Sequence, residues 1–141
     1  MKLASLITLI AFVFTLGMSL AVEPTTPKMG SDERKAIMDG LRVSVQSQLK
    51  NPVVFKVNKL RVLNGWAFLD GVPVTPEGGK FDYSRSPYAE AIRDGHFDDG
   101  IVALLHKVNG KWMTVRFVIG ATDVEYLNWA KAENAPAAIF E

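Results

Sequence analysis

The chain has 141 residues, no cysteine, and 16 Lys and Arg against 15 Asp and Glu. Charges so balanced and so interspersed exclude a nucleic-acid-binding protein, which needs a concentrated basic stripe for phosphates. The absence of cysteine excludes a disulfide framework, and a domain of about 120 residues does without one because it already buries well over half of its unfolded surface.

Met1-Lys2 is a short positive start, and the 18 residues from Leu3 to Leu20 carry no charge and are rich in Leu, Ile, Phe, Val and Ala. Ser19 and Ala21 put small residues at −3 and −1 of a cut after Ala21, the pattern of a secretory signal peptide. An uncleaved membrane anchor is the competing reading, since such a run just spans a bilayer. The small-residue cleavage site and the polar stretch from Val22 to Asp32 favour removal. No cysteine follows the run, so a lipid anchor is excluded. Residues 1–21 are therefore expected to be a signal peptide, residues 22–31 a flexible Pro/Thr/Gly tether, and residues 32–141 one domain in the periplasm or medium. Contact with a membrane is expected only before cleavage.

Ser31 is placed to cap a helix whose first turn carries Asp32 and Glu33 at the positive end of the dipole. Ile37, Leu41, Val45 and Leu49 recur every four residues, which predicts an amphipathic helix ended by Asn51-Pro52. Two Asn-Gly pairs follow, Asn64-Gly65 and Asn109-Gly110, each between apolar runs. Both positions of a type I′ turn need positive φ, which Asn-Gly tolerates best, so each pair predicts a two-residue hairpin. The hairpins join Val53–Leu63 to Trp66–Gly71 and Ile101–Val108 to Lys111–Gly120. Between them lie a polar loop, Thr75–Ser86, and a short helix opened by Ser86-Pro87 and stopped at Gly95. A final helix is expected from Val124 to about Glu133, capped by Thr122 or Asp123 and closed by Pro136. The class is α+β: a curved four-stranded antiparallel sheet with a long N-terminal, a short middle and a C-terminal helix.

Two-residue turns fix strand phase, because residues flanking the turn pair across it. Strict alternation then puts Val102, Leu104, Val115 and Phe117 on a face for the helices to cover. Trp66, Phe68, Trp112, Arg61 and Arg116 share the opposite face and are the candidate binding surface, because an aromatic-rich face left over lines a cavity or meets a partner. A small molecule, an envelope protein or a second copy of the chain fits that surface. The alternative is that the third helix and the Ala137–Phe140 tail fold over it as ordinary core.

Catalytic signals are weak. His106 alternates in phase with apolar neighbours, and with Asp98 or Asp99 it is the one candidate general base. A core histidine is the plainer reading. The run Asp94-Gly-His-Phe-Asp98-Asp99-Gly resembles a calcium loop, but the sixth and twelfth positions, which need glycine and a carboxylate, hold Asp99 and Leu105. No metal and no cofactor are expected. Neither Ser84 nor Ser86 sits in a Gly-x-Ser-x-Gly elbow. Arg85 and Arg116 are suited to hold a carboxylate bidentately, or to pair with Asp82, Glu90 or Asp70.

Helix, hairpin, short helix, hairpin, helix is an order similar to the cystatin-like and nuclear-transport-factor-2-like folds, an analogy that does not fix function. Arg34-Lys-Ala-Ile-Met-Asp39, Gly65-Trp-Ala-Phe68, Phe97-Asp-Asp-Gly100 with Ala103-Leu-Leu105, and Val118-Ile-Gly-Ala-Thr-Asp123 resemble a family of small, uncharacterised exported bacterial proteins. The resemblance spans about residues 32–140. It implies an envelope or secreted domain and brings no catalytic residue with it. The leading expectation is a non-catalytic binding or accessory module. A small cavity enzyme of isomerase or hydrolase type, and an inhibitor that presents its hairpin loops to a hydrolase, are the alternatives.

Overall fold

The computed structural model describes residues 21–141, and the expected signal peptide, apart from Ala21, lies outside the described residues. The order is α1 (Asp32–Leu49), β1 (Val54–Leu63), β2 (Trp66–Val74), α2 (Ala89–Arg93), β3 (Ile101–Val108), β4 (Lys111–Ile119), a 3-10 turn (Glu125–Asn128), α3 (Trp129–Glu133) and a second 3-10 turn (Ala137–Phe140). The four strands form one open antiparallel meander in the order β1-β2-β3-β4. The expected α+β class and its hairpins are as read from the sequence.

α1 starts where Ser31 accepts the Arg34 N–H on its hydroxyl, and ends at Lys50, which takes the left-handed conformation and returns its N–H to Gln46. Both turns have positive φ at both positions, Asn64-Gly65 and Asn109-Gly110. Ile37, Leu41, Val45 and Leu49 are buried against the sheet, each contributing about 1.5–3 kcal/mol if fully removed from water. α2 is shorter than expected, because Ser86-Pro87-Tyr88 forms a turn in which Ser86 Oγ accepts the Tyr88 N–H. The C-terminal helix is split into a 3-10 turn and α3. Neither Thr122 nor Asp123 caps it, and Asn134, left-handed, ends it before Pro136.

The expected tether is pinned rather than free. Thr25 exchanges two 2.8 Å backbone hydrogen bonds with Val62, and the Thr26 hydroxyl donates to the Leu60 carbonyl at 2.9 Å. β1 is an edge strand whose unpaired backbone groups hold whatever chain lies beside them.

Two bulges set which side chains face α1. Asn58 is the extra residue opposite the Val57/Gly71 and Lys59/Asp70 pairs, so Phe55 and Val57 before it and Leu60 and Val62 after it all reach the α1 side. Val115 is the extra residue in β4, between Leu105↔Thr114 and Leu104↔Arg116. The face toward α1 therefore collects Ile101, Ala103, Leu105, Trp112, Phe117 and Ile119. This corrects the strict alternation read from the sequence, which placed Val102 and Leu104 under the helices and Trp112 away from them. Val102 and Leu104 pack on the far side, with Leu63 and Phe68.

That far side is covered as well. Trp129, Ala135 and Ile139 of the C-terminal segment close over Phe68 and Leu104. The rings of Tyr126 and Phe140 stand 5.0 and 4.9 Å from that of Phe68. The sheet is a middle layer with apolar packing on both faces.

Candidate functional site

The aromatic–arginine surface expected from the sequence divides in the structure. Trp66, Phe68, Arg61 and Arg116 do share the face away from α1, but Trp112 lies beneath α1, 3 % exposed. Phe68 is 2 % exposed inside the second core. Arg116 forms an ion pair with Glu133 of α3, not with Asp82, Glu90 or Asp70. Trp66 stays half-buried and stacks on His106 with ring centroids 4.0 Å apart and planes 7° from parallel. The C-terminal segment is what meets this face, and the five residues do not line one groove; a shallow depression of about 370 Å³ remains beside Arg116, between β4 and Glu125 and Trp129.

His106 does not meet the aspartates proposed beside it. It sits near the far end of β3, while Asp98 and Asp99 precede the strand's first residue, Ile101. The strand between alone spans roughly 17 Å. Among the described residues no group of three or more His, Asp or Glu is placed to hold a metal ion.

The structure instead opens a groove where the sequence showed only a polar loop and a turn. It encloses about 890 Å³ between the segment Lys80–Ser84, the α2 residues Ala89, Ile92 and Arg93, and Phe97–Asp99. Each wall is held by local chemistry. Gly78, at φ +86°, folds the 75–79 loop back on itself, and Lys80 then bridges to Val74. Asp82 accepts the Ser84 N–H at 2.9 Å, and the Ser86 N–H and hydroxyl both donate to the Tyr83 carbonyl. These bonds turn the chain so that Phe81 and Tyr83 point inward between exposed neighbours. Gly95, at φ +73°, ends α2. Phe97 then packs against Gly120, so closely that a Cβ there would stand 2.2 Å from the ring. The Asp98 N–H donates to the Gly120 carbonyl at 3.1 Å. The motifs Phe97-Asp-Asp-Gly100 and Val118-Ile-Gly120 thus meet in one contact.

The floor is aromatic. The Tyr83 ring stands 4.9 Å from Phe81 and 4.9 Å from Phe97, the latter at 63°. Tyr88 stands behind them, its hydroxyl accepting from Gln48 of α1 at 2.6 Å. The Tyr83 side chain is 5 % exposed, and its hydroxyl has no hydrogen-bond partner. A buried hydroxyl left unbonded costs roughly 1–3 kcal/mol. Burial first, and then the charge of Asp99 and the neighbouring Tyr88, push the Tyr83 phenol up to about 12, so it is protonated at neutral pH. Burial also raises Tyr88, against the Gln48 hydrogen bond. Asp82 is held below the ordinary carboxylate range by the hydrogen bonds from Ser84, with Arg85 adding a smaller effect. The rim is charged: Asp82, Asp98 and Asp99 on the acidic side, Lys80 and Arg93 on the basic.

Sequence reading passed over Phe81, Tyr83 and Phe97. The signal was present, because three aromatic rings in stretches otherwise polar need somewhere to bury about 150–250 Å² each.

A doubly covered antiparallel meander with a loop-built groove at one end defines the class: an α+β domain with an open concavity at the end of its sheet. Compared with known proteins, the chain matches no family model, no curated protein and no solved structure.

Proposed function

We propose that this chain is an exported, soluble binding or accessory domain of the bacterial envelope, non-catalytic, whose ligand seats in the groove between Lys80–Ser84, α2 and Phe97–Asp99. One observation carries the reading: an open groove of about 890 Å³ lies between these segments, lined by Phe81, Tyr83 and Phe97 among charged side chains. Concave, largely apolar sites with a few convergent polar groups are the usual form of a small-molecule site. The location replaces the sheet face expected from the sequence, which the C-terminal segment covers. Loops on a rigid scaffold are where such sites concentrate.

Export is tested by the intact mass of the protein recovered outside the cytoplasm of an expressing bacterium. A chain beginning at Val22 is expected, and a chain retaining Met1 refutes cleavage after Ala21. Binding is tested by amide NMR of the exported protein against a library of small envelope metabolites. Shifts clustered on residues 80–84 and 97–100 are expected. Shifts clustered around Trp66 and His106 would move the site back to the sheet.

A further inference from the structure

We propose that a second groove, between the start of α1 and the first half of β1, takes a single-chain anionic amphiphile, its acid head among Arg34, Lys35 and Lys56 and its hydrocarbon chain on Met38, Phe55 and Val57. This site is separate from the groove at Lys80–Ser84 and does not depend on it.

The groove encloses about 660 Å³. Its walls are α1 from Arg34 to Arg42 and β1 from Phe55 to Val57, with the Met29–Ser31 turn standing at the helix start. The floor is apolar and still accessible. Met38, Phe55 and Val57 pack against the core under α1 and also line the groove, and none of the three is fully buried. Met29, at the edge, is 82 % exposed. A flexible thioether in that place adapts to an irregular apolar ligand.

The charge around this floor is one-sided. Arg34, Lys35, Arg42 and Lys56 line the groove against a single carboxylate, Asp39. Asp39 is held below the ordinary carboxylate range by hydrogen bonds, first from Lys35 and then from Arg42. One acid is thus shared by two bases, while Arg34 and Lys56 have no ion-pair partner among the described residues. Glu33, in the first turn of α1, pairs with Lys107 of β3 and does not line the groove. A concave surface lined by charge of one sign concentrates the opposite sign.

The two guanidinium groups are also held in place. Arg34 Nη1 donates to the Pro27 carbonyl at 3.2 Å, and Arg42 Nε donates to the Val53 carbonyl at 3.0 Å. Arginine has more N–H donors than one such bond uses, so Arg34 keeps a fork to offer an acid group. A neutral apolar ligand would use the floor and leave the bases in water. A small anion would use the bases and leave the floor in water. A hydrocarbon chain with an acid head uses both. A bilayer surface is too flat to reach a floor set between a helix and a strand, so the occupant is a free chain.

The test is an amide NMR titration of the exported protein with octanoate, 1-octanol, n-octylammonium and butanoate. Octanoate is expected to shift Met29–Arg42 and Val54–Val57 and to bind about tenfold more tightly than octanol, the sum of a few exposed charge pairs. Octylammonium should be weaker still. Butanoate should be at least about tenfold weaker than octanoate, because its shorter chain removes less apolar surface from water. Arg34→Gln and Lys56→Gln should each weaken octanoate about threefold, and Asp39→Asn should tighten it about threefold by releasing Lys35 and Arg42. Lys56 and Asp39 have exposed side chains, so these two variants carry the test if Arg34→Gln loosens the turn at Pro27. Octanol or octylammonium binding as tightly as octanoate, or an Asp39→Asn protein with unchanged affinity, overturns the acid head. Butanoate binding as tightly as octanoate overturns the chain. Sedimentation of the protein with phosphatidylglycerol vesicles, while octanoate leaves these amides unshifted, would mark a membrane face and overturn the free chain. Silence toward every probe at millimolar concentration overturns the site, and the groove at Lys80–Ser84 stands or falls on its own titration.

Discussion

Gly40→Ala is the sharpest probe of how α1 sits on the sheet. In a solvent-facing helix interior, that change stabilises by about 1 kcal/mol, because alanine loses less backbone entropy on folding. Here the added Cβ would stand 2.6 Å from the carbonyl oxygen of Trp112 and 3.3 Å from its Cβ. The obstacle is backbone, so no rotamer change relieves it. The same approach lets the Thr114 hydroxyl donate to the Gly40 carbonyl at 3.2 Å. Relief requires α1 to lift from β4, which loosens Ile37 and Leu41 on either side of the contact. Overpacking of this kind costs about 1–3 kcal/mol, occasionally more. Against the propensity gain, a net loss of about 1–2 kcal/mol is expected, and a Tm lower by roughly 3–10 °C for a domain of this size. Ser47→Ala, on an exposed position of the same helix, is the control and should gain a few tenths of a kcal/mol. Thermal unfolding followed by far-ultraviolet circular dichroism gives both values. A Gly40→Ala protein as stable as the parent, with Ser47→Ala behaving as expected, would show that α1 does not rest on the β4 backbone.

The two tryptophans of the hairpins should separate in chemical denaturation. Trp112→Ala is expected to cost about 3–5 kcal/mol and half-buried Trp66→Ala less than half of that; equal losses would contradict their opposite placement. Ile139→Ala, at a fully buried position near the end of the chain, should cost about 2–5 kcal/mol, and a change below 1 kcal/mol would mean the tail does not close the second core. Tyr83 supplies a pH signature. Unfolded tyrosine ionises near 10 and Tyr83 not until about 12, so stability present below pH 10 falls as pH rises across that window, by at most about 1.4 kcal/mol per unit. Near-ultraviolet absorbance should show the last-ionising tyrosine of the parent missing from Tyr83→Phe, with Tyr88 still raised in both; a parent in which every tyrosine ionises near 10 would refute the burial.

What the sequence made legible was local. A four-residue apolar spacing, a serine cap and two Asn-Gly pairs each act within a few residues, and each produced the element expected of it. What it concealed were events one residue long and contacts across the chain. A bulge at Val115 carries no strong residue signature, yet it puts Trp112 and Arg116 on opposite faces although their spacing is even. Alternation failed for a second reason in β3. Ile101, Ala103, Leu104 and Leu105 are all buried, because each face of that strand has its own cover. An uninterrupted apolar run is what a strand buried on both sides looks like, and it contains no phase to read. Gly40 is likewise silent in the sequence, since the partner that requires it lies 72 residues later at Trp112.

The covering of both faces also explains where the site is. With α1 on one side and the C-terminal segment on the other, most apolar side chains of the sheet are spent on the two cores, and those left exposed are Val108, Met113 and Val115 on β3 and β4. The concavity is left to the connections at one end of the strands, where β2 ends, β3 begins and β4 ends. Those connections are not loose. Phe97 is seated on Gly120 at the end of β4, Asp98 bonds the same glycine, and Phe81 and Tyr83 belong to the core that α1 completes. The groove therefore inherits the rigidity of the sheet through its floor, while its charged rim stays exposed. A site built this way holds its aromatic surface in place before any ligand arrives, which lowers the ordering cost of binding. Its selectivity then rests on the few exposed charges around the rim.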